Sequence, residues 1–442
     1  MSFPGLLVGQ YINSSGACHG ASNGSGLWEN WSLNRTSSAL LLLAFALPAF
    51  TKMPAEEFRA RRAALRKSLD GTLLLMGQTE GRDPVFAFTQ EPNFNYLTGW
   101  MEPGAALLVT PAREILFLPH HDVAAERYHG RRWSAEDSGV QSATGFEEVL
   151  PMEKLESELD QALAAHEHVY TTGVSYTQLR SRYPFREIAD AAPLITKLRV
   201  KKSAAEIAAI QHATDVSIQA HRAAWKRMTV GEYEYQIAAT FMDTFLENGC
   251  EGPAYAPIVA SGPNGPILHY MTNQRRMDRG EAVVIDAAAE CDDYASDITR
   301  TIPVGGKFTA RQREVYQIVL GAQKAAIAAV KPGMRLSGQG ETLTKIAKDY
   351  MDAHGKDLHG EPLGKYFTHG IGHQVGLEVH DPNIDGPLEA GMVVTIEPGI
   401  YIPEENLGVR IEDVLLVTDK GATVLSAALP KEPDEIEKAV SK

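Results

Sequence analysis

The sequence predicts an α/β (α+β) protein of two domains, and three observations carry that. The chain has 442 residues, more than one hydrophobic core usually organises. Between about residues 54 and 190, helix-forming stretches alternate with short apolar runs, the pattern of a layered α/β domain. Beyond that, the order helix, helix, strands occurs twice, at Ser203–Val304 and Thr309–Thr418. Two similar halves facing each other place a site at their junction.

The N-terminal stretch, 1–53, reads as signal-like or disordered. It is rich in Gly, Ser and Asn and lacks periodicity up to Arg35. The apolar run Ala39–Phe50 (ALLLLAFALPAF) is too short to span a bilayer but matches the apolar region of a signal peptide. No stable membrane span is expected. Export to the periplasm is the preferred reading, with cleavage near Thr51–Ala55; a cytoplasmic chain starting at Met53 is the alternative.

The first domain is assigned to 54–190. Ala55–Leu69 has helical composition, with Phe58, Leu65 and Leu69 on the inner face. Strand-like runs follow at Thr72–Met76, Ala105–Thr110, Glu114–Pro119 and Val169–Thr172, with a helix over Met152–Ala165. His120, His121, His129, His166 and His168 are read as exposed or structural.

The second domain is assigned to 197–430. It opens on KLRVKKSAAE, where Ser203 and Glu206 form a capping box for a helix to Met228. A second helix spans Glu232–Asn248, with Tyr233, Ile237, Phe241 and Phe245 on one buried face and Asn248-Gly249 ending it. Strand-like segments follow at Tyr255–Ser261, Ala282–Ala289 and Tyr294–Val304. Thr309 and Gln312 cap the next helix, which Pro332-Gly333 stops, and another helix runs over Gln339–His354.

Composition narrows the function. With 44% hydrophobic and 22% charged residues the chain is globular. A net charge of −14 speaks against nucleic acid, whose phosphates call for a basic face. Cys18, Cys250 and Cys291 are odd in number and lack a CxxC spacing, so no disulfide framework is expected.

The chemistry concentrates in three stretches. Thr368–Asp381 (THGIGHQVGLEVHD) holds His369, His373 and His380 among Gly370, Gly372 and Gly376, which let the backbone turn tightly or approach a site closely. Val393–Tyr401 (VVTIEPGIY) carries Glu397, and Gly408–Val417 (GVRIEDVLLV) carries Arg410 and Glu412. A carboxylate inside an apolar strand is costly unless paired or bound to a metal. In VVIDAAAECDDYASDITRTIPV, Asp286 ends an apolar run and Asp297 follows eleven residues later (297−286). The polar Glu290–Asp293 between them suggests a hairpin that brings both aspartates side by side, where they repel unless a cation intervenes.

Asp286, Asp297, His373, Glu397 and Glu412 are therefore the candidate metal ligands. Four carboxylates and one imidazole suit Mn²⁺, Co²⁺ or Fe²⁺ better than a thiolate zinc site. Their charge points to two divalent ions, an arrangement that activates water for hydrolysis. HGIGH is not the HExxH of a zincin helix, and no Lys-Ser/Thr follows the glycines to make a phosphate loop.

These stretches, together with ILHY at Ile267–Tyr270 and NFNYLTGWMEPGA at Asn93–Ala105, resemble the pita-bread metallopeptidases, and within them the Xaa-Pro aminopeptidases (aminopeptidase P), with prolidases close behind. The resemblance covers about Pro54 to Val417. It implies a creatinase/aminopeptidase-P-like α/β domain followed by a pita-bread catalytic domain with pseudo-twofold halves. It implies a metal-dependent exopeptidase that releases the residue preceding a proline. Asp286 would chelate one ion, Asp297 and Glu412 would bridge both, and His373 and Glu397 would complete the second. Glu397 would also serve as general base. His269 and His380 would contact the substrate carbonyl and scissile nitrogen, His369 would line the proline pocket, and Arg410, with Tyr401 nearby, would orient a bridging carboxylate. Mn²⁺ is the expected metal, with Co²⁺, Fe²⁺ or Zn²⁺ as alternatives, and a homo-oligomer (dimer or tetramer) is expected. Ala288 replaces a common glycine, and Asn95 replaces an aromatic that in many relatives reaches a neighbouring subunit's site. The alternatives are a prolidase restricted to dipeptides, a metal-free creatinase-type enzyme and a non-catalytic peptide-binding module.

Overall fold

A computed structural model describes residues 53–79 and 88–441; the apolar run Ala39–Phe50 and Cys18 lie outside them. Among the described residues, the N-terminal part is built on one sheet. Its strands are β1 (Thr72–Met76), β2 (Ala106–Val109), β3 (Glu114–Leu118), β4 (Val149–Pro151), β5 (Val169–Thr171) and β6 (Ile188–Asp190), in the order β4-β3-β2-β1-β5-β6. The β1–β2–β3 pairings are antiparallel; β4, β5 and β6 join in parallel. Side chains alternate between two cores, as period-2 strands require. Leu73, Leu75, Leu107 and Leu116 enter one, and Leu74, Leu108, Ile115 and Phe117 the other. Burial on both faces explains why these strands read as unbroken apolar runs.

The helices of this part are α1 (Ala55–Ser68), α2 (Pro92–Thr98), α3 (Val123–His129), α4 (Val140–Thr144), α5 (Leu155–Ala165), α6 (Val174–Arg182) and α7 (Ala192–Arg199). Leu65 is buried as expected, but so are Arg61 and Arg62. Their guanidinium groups cap the carbonyls of Tyr96 and Leu97 at 3.0 and 2.9 Å, which ties α1 to the end of α2. The helix expected over Met152–Ala165 begins with a 3₁₀ turn, Met152–Lys154.

The C-terminal part repeats its order. The first half runs α8 (Ala204–Arg227), α9 (Glu234–Glu247), β7 (Gly252–Pro253), β8 (Ile258–Ser261), β9 (Ala282–Asp286), β10 (Ala289–Cys291), β11 (Tyr294–Ala295) and β12 (Thr299–Pro303). The second runs α10 (Ala310–Ala329), α11 (Leu343–His354), β13 (Val393–Ile396), β14 (Gly399–Ile402), β15 (Leu407–Arg410), β16 (Asp413–Thr418) and β17 (Gly421–Val424); α12 (Pro433–Val440) closes the chain. In each half the two helices pack on one another, and the first of them lies against the strands that follow. Both expected capping boxes form. The halves are joined through buried polar groups. Arg300 on β12 reaches Asp413 on β16 at 2.7 Å with both side chains fully buried, and also donates to the Glu412 carbonyl at 2.5 Å.

Three expectations are corrected. Tyr233 is not core. It is the N-cap of α9, its extended backbone points it away from the helix stripe, and it stacks on Tyr235 at 39% exposure. The helix expected from Gln339 begins only at Leu343, where the Thr342 hydroxyl supplies the cap. Cys250 and Cys291 form a disulfide. Antiparallel pairing of Gly252 with Glu290 brings the end of α9 against β10 and sets the two Cα atoms 4.3 Å apart, a juxtaposition invisible in spacing.

Candidate metal centre

Asp286, Glu397 and Glu412 sit where strands end or break, Asp297 in a link between strands, and His373 in an extended stretch beside β13. Asp286 is the last residue of β9, and Thr299 stands opposite it on β12. The hairpin between the two aspartates is β10–β11, turning at Asp292 and Asp293 with positive φ (54° and 65°), as two-residue hairpins require. Asp297 lies in the link from β11 to β12, not within a strand. Tyr255 bridges the two aspartates: its hydroxyl lies 2.5 Å from Asp286 Oδ1 and 2.6 Å from Asp297 Oδ1.

The two apolar runs carrying glutamates are each broken at the glutamate. Val393–Tyr401 divides into β13 and β14 around Glu397, and Gly408–Val417 into β15 and β16 around Glu412. The chain changes sheet at both points, since β13 pairs with β16 and β14 with β15. A strand that changes sheet frees its side chain from face alternation, so both carboxylates turn inward.

The histidine stretch is extended backbone laid on β13. Val375 N donates to Val393 O at 3.0 Å and Thr395 N to His373 O at 2.9 Å. Gly372 is required here, because a Cβ would stand 2.0 Å from Thr395 O. His373 Nδ1 lies 3.0 Å from Gln374 O, which makes it the protonated nitrogen. Nε2 is left facing Asp297 at 3.3 Å and Glu397 at 3.6 Å.

Asp297, His373 and Glu412 each present a ligand atom within 4.8 Å of the others. Asp286 joins them through Tyr255, and Glu397 through His373. Glu412 Oε2 accepts from Thr299 Oγ1 at 2.7 Å, whereas Oε1 is buried with no hydrogen-bond partner. A buried, unpaired carboxylate oxygen amid three other carboxylates and an imidazole fits a divalent cation and has no comparable protein partner.

The electrostatics agree. Burial, and then the charges of Asp297, Glu397 and Asp286, raise the Glu412 carboxyl well above the usual range. Burial raises Asp286 against the opposing Arg410 charge and pushes Glu397 up to about 7. Burial pulls the His373 imidazolium down, but Asp297 and Glu397 outweigh it and raise the group to about 9. The cluster thus holds protons where it lacks cations.

The Arg410 side chain makes no hydrogen bond to Asp297 or Glu412, the two carboxylates expected to bridge. Its Nη2 donates to Asp286 at 2.7 Å, and it reaches Glu412 only through Thr299, whose hydroxyl accepts from Arg410 Nε at 3.1 Å. Arg410 Nη1 also donates to Tyr401 Oη at 3.0 Å, which leaves the Tyr401 proton for His369 Nε2 at 2.8 Å. Burial and the Arg410 charge lower His369 to about 4, so it is neutral. A cavity of about 400 Å³ opens over the cluster, with His269, His369 and His380 on its wall together with all five candidate ligands. His373 and His380 rings lie 4.1 Å apart. Asn95 is buried in α2, so it cannot serve as an outward-reaching aromatic would. Sequence reasoning missed Tyr255, in the bend before β8, and Thr299, on β12; neither carried a signal of its own.

Residues 208–419 match the model of metallopeptidase family M24, and 58–170 match the aminopeptidase P N-terminal domain. The chain is 37% identical over 430 residues to a Xaa-Pro aminopeptidase of Haemophilus influenzae, covering 88% of this chain and 98% of that protein. It is 34% identical over 352 residues to a Xaa-Pro dipeptidase of Pyrococcus horikoshii, covering 76% and 91%. The structure superposes on aminopeptidase P of Escherichia coli, solved with the inhibitor Pro-Leu, with a TM-score of 0.80 and 30% identity, covering 88% of this chain and 99% of that one.

Proposed function

Because this chain belongs to metallopeptidase family M24, we propose that it is a metal-dependent exopeptidase releasing the N-terminal residue from peptides with proline in the second position. The observation that carries this is the convergence of Asp297, His373 and Glu412 beneath a cavity walled by three further histidines. Asp286, Asp297, His373, Glu397 and Glu412 hold two divalent ions, with Mn²⁺ our choice of native metal; the hard donor set supports it. Bound there, divalent ions supply Lewis acidity toward a water and toward the scissile carbonyl.

The chain's own residues do the rest. Glu397, held by Thr395 Oγ1 at 3.3 Å, takes a proton from the attacking water and returns it to the departing proline nitrogen. His269 and His380 steady the carbonyl oxygen and that nitrogen. His369, fixed by Tyr401, lines the proline site. Arg410 keeps the Asp286 carboxylate in place from behind. We assign the supporting domain to 54–190 and the catalytic one to 197–430, which the two family-model spans support. The resemblance to the aminopeptidases P supports a homo-oligomer, dimer or tetramer, tested by analytical ultracentrifugation.

Identity to Xaa-Pro dipeptidases keeps one second reading in view. The test is a matched pair, an Xaa-Pro dipeptide and the tripeptide made by extending it. Cleavage of the tripeptide at the Xaa-Pro bond supports the aminopeptidase; turnover of the dipeptide alone makes the chain a prolidase.

A further inference from the structure

Helix α8 presents a polar stripe to the segment that carries both aspartates. Thr214, Ser217 and His221 follow at intervals of three and four (217−214, 221−217), so they share one face, and all are fully buried. Thr214 Oγ1 lies 2.9 Å from Ser296 Oγ. Ser217 Oγ accepts from Ala289 N at 2.9 Å. His221 Nε2 lies 3.1 Å from Ala287 O and 3.2 Å from Ile298 O.

The two carbonyls met by His221 belong to the residues directly after Asp286 and Asp297. Both are acceptors only, so Nε2 carries the proton and shares it between them. Nδ1 is buried without a partner. The ring is fixed edge-on to Phe241 at 4.9 Å and to Trp225 at 6.2 Å. An apolar side chain would fill this place without burying a bare ring nitrogen, so the donor, not the volume, distinguishes histidine here. Burial and the Arg300 charge lower the imidazole to about 3. It therefore stays a neutral donor and brings no second charge behind the aspartates.

We propose that His221 is a positioning residue for the metal centre: its single Nε2–H, shared by the Ala287 and Ile298 carbonyls, fixes the separation of the Asp286 and Asp297 carboxylates and thereby the affinity for the second divalent ion. This rests on the metal-centre reading above.

The test compares the full-length protein with H221Q, which keeps an N–H donor, and H221M, which matches glutamine in length without one. Chelator-stripped proteins are titrated with Mn²⁺ in a calorimeter, and kcat and KM are measured at limiting and excess Mn²⁺. H221Q is expected to bind both ions within about threefold of wild type, and H221M to lose about tenfold or more at the weaker site. In H221M, kcat at limiting Mn²⁺ falls, excess Mn²⁺ restores it, and KM holds. A merely structural role would lower the melting temperature without separating the two variants in Mn²⁺ binding. Wild-type Mn²⁺ affinities in H221M, or equal losses in both variants, overturn the proposal. If H221M does not fold, H221L, apolar and without a donor, takes its place and is read by the same outcomes. Wild-type protein that takes up no Mn²⁺ overturns the metal-centre reading itself, and this inference with it.

Discussion

Glu412 leans one carboxylate oxygen on the hydroxyl of Thr299, 2.7 Å away, and leaves the other buried and unpaired. A divalent cation would satisfy such an oxygen. Exhaustive chelation is therefore expected to abolish cleavage of an Xaa-Pro tripeptide, and Mn²⁺ or Co²⁺ to restore it. Each ion at a hundredfold excess over its Kd adds about 2.7 kcal/mol of stability, so the melting temperature rises with added metal. Full activity in the chelated protein would sink the assignment.

Glu397 tests the proton transfer, and because it is also a candidate ligand, E397Q is assayed at saturating Mn²⁺ beside a Mn²⁺ titration. Glutamine keeps the shape and an acceptor for the Thr395 hydroxyl but cannot take a proton. E397Q is expected to lower kcat by about 10²–10⁴-fold while circular dichroism stays that of wild type. Turnover near the wild-type rate would remove Glu397 from the role of base.

Tyr255 makes a sharper case, because among the described residues only its hydroxyl links Asp286 and Asp297 directly. Y255F removes that oxygen and nothing else. Groups that orient ligands from behind are worth about 10–100-fold in metal affinity or activity, and a loss in that range is expected in a Mn²⁺ titration. An unchanged titration would mean that the backbone around the aspartates, held by the β9–β12 pairing and by His221, sets their spacing without Tyr255.

Much of the centre is legible in the sequence, and for one reason. Asp286, Asp297, Glu397 and Glu412 interrupt apolar runs, and charge in such company calls for a partner. What is not legible depends on contacts across the fold. Both glutamates sit at sheet changes, which in sequence look like continuous strands. Tyr255 reads as the first residue of the strand-like segment Tyr255–Ser261, whereas the strand begins only at Ile258. Cys250 and Cys291 meet only because Gly252 pairs with Glu290. Arg410 finds Asp286, not Asp297 or Glu412, because pairing of β15 with β14 and the link to β12 through Thr301 aim it there.

The protonation of the cluster gives a last prediction, for the metal-free protein. Burial holds Glu397 up to about 7 and keeps Asp286 and Glu412 above their usual range; His373 is raised to about 9, its two carboxylate neighbours overcoming burial. In the unfolded chain these groups return to about 4 for the carboxylates and about 6.5 for histidine. The folded state therefore binds more protons than the unfolded one between those limits, and stability must fall as pH rises through them. The Glu397 contribution is complete below about pH 4 and is lost as pH climbs through 7; that of His373 is complete below about 6.5 and is lost through 9. Chelated protein is thus expected to melt lower at about pH 8.5 than at about pH 5.5, by an amount on the order of a few kcal/mol in stability. Saturating Mn²⁺ takes the place of those protons, and its affinity grows as the ligands deprotonate, so the slope flattens or reverses. Melting curves in chelator and in Mn²⁺ at both pH values decide it. A chelated protein that grows more stable with rising pH, or a slope indifferent to Mn²⁺, would show that the cluster is not where the protein stores those protons.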